Sequence, residues 1–503
     1  MSKYGDNGYE HSDMYELNQV LDHGHAGHHS VLIDISQTGL RRDLRLRHII
    51  MIAIAGTIGT GLFLTSGSTV ATAGPGGALL AYVLIGIWLI FVLQAVGEVA
   101  TLLPLPAAFN AWGGRVFDEA FSFQMTWMYC VNWALTIPAQ LSAAALIVSF
   151  WAYGELEYWF SILKVVTIVI FIICGILVDS GAAGGYTYGF KNWRIEGAPF
   201  KGGFKSFIAT LVSVAYAYGG VEMTGVTAAE SRNPHKHVPK AVNTVMIRVA
   251  FFYIVSIFFL GSIVPNDDPR LVNIDHSATQ APFTIVFAKA GMSGAANYMN
   301  VVIFTSIFSA INSDFYVTTR MLLSLARNGW IHKSIGYINS RGVPVVSVAI
   351  VSACSCLSLI AVFVGSGIVF HWFISIIGSI TFQGWLYILL LHFRFRYCWK
   401  VQGNAVSDLP YVAWCYPYGN ILATFIGCCC IVCNWYLSGI LGAWGPWAIS
   451  AALFFSYKYI HGTTLIKAAD ADLDTGRFIP SESDKEDLKP HGPRWKRIVK
   501  LFV

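Results

Sequence analysis

Long apolar runs separated by short polar stretches dominate the chain. About 20 apolar residues are needed for a helix to cross the hydrocarbon core of a bilayer. Eleven runs qualify, at 47–70, 77–101, 121–151, 158–178, 204–225, 241–264, 284–320, 343–365, 367–393, 418–440 and 444–460. The run 284–320 is long and has a polar interior. The pattern predicts an all-α polytopic membrane protein. Its parts are a disordered tail over 1–46, a membrane domain over 47–460, and a second tail over 461–503. Residues 1–45 are polar and lack the apolar core of a secretory signal, so none is expected there.

The first run is interrupted at Gly56-Thr57-Ile58-Gly59-Thr60-Gly61. Three glycines and two threonines lower helix propensity at a depth where unpaired backbone is costly. Two readings stand on this stretch alone. Discontinuous helices form the substrate sites of secondary transporters, whereas small residues also let intact helices pack closely.

Composition agrees with the membrane assignment: 55% of residues are hydrophobic and 12% charged, against about 25% charged in soluble domains. The net charge of +5 does not imply nucleic acid, because the basic residues gather in short loops between the runs, where they encode topology. The ten cysteines lack zinc-type spacing and read as small core residues. The histidines at 23, 25, 28 and 29 read as incidental to a solvated tail. No nucleophile motif or phosphate loop stands out, so neither an enzyme nor a metal or cofactor is expected.

Charge also tests the count. Arg41, Arg42, Arg45 and Arg47 place the first tail in the cytoplasm. Three later basic loops should share that side: Arg232, Lys236 and Lys240; Arg320, Arg327 and Lys333; Arg394, Arg396 and Lys400. Each follows an odd number of crossings, which puts it on the wrong side. One additional crossing upstream of residue 228 corrects all of them. Only Ala152-Tyr153-Gly154-Glu155-Leu156-Glu157 separates two of the runs, so a span is expected to be missing near 151–154.

Several motifs in order carry a resemblance. They are Gly56 to Phe63; Gly97-Glu98-Val99-Ala100-Thr101; Glu157 to Lys164; Gly220-Val221-Glu222 with Ala229-Glu230; Asn312-Ser313 with Thr319-Arg320; and His392-Phe393-Arg394-Phe395-Arg396. From Arg42 to Tyr459 the chain resembles the fungal amino acid permeases of the amino acid–polyamine–organocation superfamily. The resemblance implies twelve helices, the first ten in two inverted five-helix repeats with broken helices at the site. This chain has eleven, with the fourth absent. It also implies proton-driven amino acid import at a fungal plasma membrane with the N-terminus inside and no cofactor. Rival readings are an amino acid sensor, a polyamine or organic-amine permease, and an inactive product lacking one helix.

Residue by residue, the resemblance assigns the substrate carboxylate to Thr60 and Gly61 and the amine to the Ile58 carbonyl, with Gly59 in the same loop. A second break at Tyr216-Ala217-Tyr218-Gly219-Gly220-Val221-Glu222 supplies Tyr218 as gate, with Gly219 and Gly220 beside the amine. Gly219 and Val221 depart from the family's aromatic-Ser-Gly-Thr-Glu pattern. Glu98, Lys164 and Glu222 are ionisable residues within spans and hence functional candidates. The resemblance gives Lys164 the place of a coupling sodium, and Glu98 and Glu222 are candidate proton carriers because burial raises a carboxyl pKa toward physiological values. A charge snorkelling from a span end is the competing reading. Expected partners are the amino acid, the bilayer and ubiquitin at Lys3. The basic, amphipathic stretch Arg494 to Val503 reads as a membrane-surface helix.

Overall fold

The computed structural model describes residues 46, 49–50, 61–105, 108–144, 155–231, 233–272, 282–292, 294–339, 343–437 and 440–477. Most of these are helical, with no strand among them. The helices are α1 (Ser66–Leu102), α2 (Phe109–Val116), α3 (Glu119–Ala144), α4 (Glu155–Asp179), α5 (Gly203–Tyr218), α6 (Met223–Thr227) and α7 (Pro234–Ile263). They continue as α8 (Pro282–Lys289), α9 (Ala295–Arg327), α10 (Val345–Val364), α11 (Ser366–Val401), α12 (Tyr418–Leu437) and α13 (Gly445–His461). Seven stretches among the described residues are long and apolar enough to cross a membrane.

The first two apolar runs form one continuous stretch, Gly61–Leu102. It is nonetheless a hairpin. Gly74 has φ +76° and ψ 170°, and Pro75 follows it without an amide proton. The amides of Gly76 and Gly77 turn out to the carbonyl of Pro199, at 2.9 and 3.2 Å. A Cβ at Gly74 would stand 2.6 Å from that oxygen, so the turn needs glycine. Tyr82 on the second arm consequently lies beside Thr65 and Thr69 on the first.

The single run 284–320 is divided. Helix α8 ends at Lys289, Gly291 follows with φ +79°, and α9 starts at Ala295. Lys289 ends α8 by donating to the Ile263 carbonyl at 2.7 Å. Apolar content alone does not register this turn.

Packing sorts the helices into two bodies. Helix α1 packs most extensively on α7 and α5, whereas α3 packs most extensively on α9 and α11, with α13 alongside. Basic residues gather at one end, which is called inner on the expectation of the positive-inside rule. There Lys458 pairs with Asp118, Tyr457 donates to Glu119 at 2.8 Å, and Trp330 donates to Tyr457 at 3.0 Å. Residues 462–477 run beneath this end, with Leu473 buried and Arg115 bridging to Asp472 at 3.5 Å. At the opposite end, the carbonyl of Asp179 receives the Tyr188 amide, and Asn192 donates to the Ser262 carbonyl. Helix α3 therefore begins at the inner end and α4 finishes at the outer one. The two run parallel, with ten residues of sequence, 145–154, between them.

Candidate transport site

Two interrupted helices meet at the centre of the first body. Gly61 opens a π-helical turn, Gly61–Thr65, in which the Thr65 hydroxyl donates to the Gly61 carbonyl. Helix α5 stops at Tyr218. Gly219 turns extended with ψ 147°, Gly220 has φ +99°, and the chain resumes helix only at Met223. A Cβ on Gly61 would lie 2.4 Å from the Cα of Ala217 and 3.0 Å from its carbonyl oxygen. The first arm and α5 thus touch backbone to backbone one residue before Tyr218, where irregular main chain is enclosed by protein as membrane depth requires. Ile58, Gly59 and Thr60 lie outside the described residues, as does Lys3.

Tyr218 is fully buried. Its hydroxyl donates to the Tyr82 carbonyl at 3.3 Å, and its ring stacks on Tyr253 at 4.5 Å. Tyr253 in turn donates to the Ala217 carbonyl at 2.7 Å. Tyr218 therefore packs among α1 and α7. Tyr216, two residues earlier and so on another helix face, meets Phe370 of α11 at 6.2 Å.

Glu222 follows the break and is 2% exposed; the indole of Trp385 on α11 donates to it at 3.4 Å. Tyr129 of α3 lies within the fields of both Glu222 and Asp314. Asp314 is fully buried on α9 and was missed in the sequence reading, although the polar interior of its run and the neighbouring Asn312-Ser313 were noted. The rule that singles out Glu222 applies equally to it. Beside Tyr129 a hollow opens between α3 and α11, lined by Met125, Met128, Gln383, Gly384 and Tyr387. Gln383 is 1% exposed, and neither amide atom has a hydrogen-bond partner among the described residues. A buried carboxamide left this way costs free energy unless water or a ligand satisfies it.

Lys164 is fully buried on α4 and donates to the Ser309 hydroxyl of α9 at 2.9 Å, tying the two helices. Glu98 occupies a separate place at the inner end. Arg396 reaches its Oε2 at 2.8 Å, His392 Nε2 its Oε1 at 3.0 Å, and the Ala413 amide its Oε2 at 2.7 Å. The three ionisable residues singled out from sequence thus have three different sets of partners. No group of three or more metal-ligating side chains occurs among the described residues.

Comparison with known proteins matches the amino acid permease family over residues 48–153 and 152–464. A lysine-specific permease of Lactococcus lactis subsp. cremoris is 38% identical, with 87% of this chain and 94% of its own length aligned. A lysine-specific permease of Escherichia coli is 37% identical over 86% and 96%. A general amino-acid permease of Candida albicans is 32% identical over 93% and 87%.

Proposed function

Since the chain belongs to the amino acid permease family and moves amino acids across a membrane, we propose that it is a proton symporter working by alternating access around the paired helix breaks. The observation that carries this reading is the backbone contact of Gly61 with Ala217 beside the Gly219–Gly220 break. In it, amides around Thr60 and Gly61 hold the substrate carboxylate, at the positive end of a half-helix. Carbonyls of Ile58, Gly59, Gly219 and Gly220 hold the ammonium, and Tyr218 closes over it. Lys164 and Glu222 carry the coupling, because an ionisable group held at depth changes charge more readily than it is stripped of water. The plasma membrane, a cytoplasmic N-terminus and ubiquitination at Lys3 belong to the same reading. Radiolabelled amino acid uptake in a transport-deficient host tests it. Accumulation should rise as external pH falls and should collapse with a protonophore. Accumulation indifferent to both sinks the symport.

One observation favours a cationic substrate. Two buried carboxylates, Glu222 after the α5 break and Asp314 on α9, both act electrostatically on Tyr129 of α3, and two of the relatives described are named lysine-specific. Excess unlabelled lysine should then compete with uptake far better than leucine.

The working transporter, in this proposal, has a further spanning segment between Ala144 and Glu155. Helices α3 and α4 run parallel, the two family matches overlap only at 152–153, and the basic loops require one more crossing. The Lactococcus alignment also runs 479 positions yet takes 87% of the 503 residues, roughly 438. About 40 positions of that relative therefore face no residue here.

A further inference from the structure

The loop between α11 and α12, residues 402–417, is pressed across the inner seam where the two bodies meet. Two side chains one helical turn apart on α1 receive it. Glu98 accepts the Ala413 amide at 2.7 Å, and Gln94 accepts the Tyr411 hydroxyl at 2.6 Å and the Trp414 amide at 3.4 Å. Gly97 lies between them, where a Cβ would stand 3.2 Å from the Tyr411 ring. The carboxamide of Gln94 continues to Asn243 on α7 at 3.2 Å and to the sulfur of Met246 at 3.8 Å. From α11 come Arg396 and His392, and Asn420 of α12, a helix that packs on both α1 and α11, meets His392 Nδ1 at 2.7 Å. The Arg396 guanidinium also covers the ring of Tyr416 at 4.7 Å. Glu98 and His392 are fully buried and Arg396 nearly so.

This arrangement joins α1 and α7 to α11 across the seam. Parting a buried carboxylate and guanidinium leaves each uncompensated until water reaches it. Rocking of one body against the other would hydrate both at once, giving two discrete states and disfavouring the intermediate. We infer that Glu98, Arg396 and His392, with loop 402–417 as the lid, are the latch of the inner gate, and that release of substrate to the inner side requires them to separate. Glu98 thereby acts as a positioning residue. The inference rests on the alternating-access reading, but its test requires no transport.

Met246 sits behind Gln94 and the lid, and Met246→Cys in a Cys415→Ser chain reports opening. Inside-out vesicles would be treated with a membrane-impermeant maleimide, and labelling compared with the same chain retaining Met246. Arg396→Met, and separately Glu98→Gln combined with Arg396→Met, should label on the order of tenfold faster at this site. Both should still elute as monodisperse protein in detergent, the second because it leaves no unpaired buried charge. A structural role alone does not predict faster labelling in well-folded protein. Unchanged labelling in either folded variant overturns the latch, and so does the failure of both variants to fold.

Discussion

A single methyl group tests the contact on which the proposed site depends. At Gly61 a Cβ meets main chain, the Cα of Ala217 at 2.4 Å, so no rotamer change relieves it and α5 itself must shift. Overpacking of this kind costs about 1–3 kcal/mol. Gly61→Ala should therefore reach the membrane but lose amino acid uptake on the order of tenfold or more, read as initial rate per molecule at the surface. At Lys164 the argument concerns charge. Lys164→Met keeps length and apolar bulk while removing the ammonium that reaches Ser309. Exchange of labelled for unlabelled substrate should persist, and uphill accumulation driven by an imposed pH gradient should be lost. Uphill accumulation at the native level would take Lys164 out of coupling. These residues were legible in sequence because glycines and charges are out of place in a lipid-spanning run. Asp314 was as legible by the same rule. Gln383 was not, since a neutral carboxamide in a long helix signals nothing until its surroundings show both of its polar atoms unsatisfied.

Helices were read well where their ends are written in local chemistry. Gly74-Pro75 separates the runs 47–70 and 77–101, and the structure turns there even though hydrogen-bonding continues on either side. The pair Gly219-Gly220 likewise marked the end of α5 and a break before α6. Division of 284–320 into α8 and α9 was not read, because both parts are apolar and the turn between them is fixed by distant groups such as the Ile263 carbonyl. The inner lid was invisible for a related reason: Glu98 lies about 300 residues from Arg396 and Ala413, and no local pattern encodes their meeting. The hairpin offers the cleanest test at this scale. Gly74 combines φ +76° with ψ 170°, a region open essentially to glycine, and its place is filled by the Pro199 carbonyl. Gly74→Ala should destabilise the fold by about 1–3 kcal/mol, seen as a lower thermal midpoint in detergent. An unchanged midpoint would mean that the turn relaxes without cost.

At the scale of the whole molecule, the connection between α3 and α4 decides whether this arrangement can exist in a bilayer. Both helices rise from the inner end, so the chain must return across the membrane between them. Ten residues of sequence are available, and eleven Cα steps reach at most ~40 Å when fully extended. The hydrocarbon core is ~30 Å thick, so the distance alone is passable. The chemistry is not, because an extended segment in lipid leaves its amides and carbonyls without partners, at several kcal/mol each. A helix rises only 1.5 Å per residue, and ten residues cannot span in that form. On the proposed reading, the positions of Lys164 against Ser309 and of α4 against α7 and α9 call for a further helix of about 20 residues between Ala144 and Glu155. Sequencing the transcript between the codons for Phe150 and Gly154 should reveal such a segment, and the full-length product should take up amino acids. A transcript that reads without it leads to a different molecule. Glu155 would then begin on the outer face and α4 would run inward. Lys164 would lose Ser309, and glycosylation acceptors placed in the 180–200 loop would remain unmodified because that loop would face the cytoplasm.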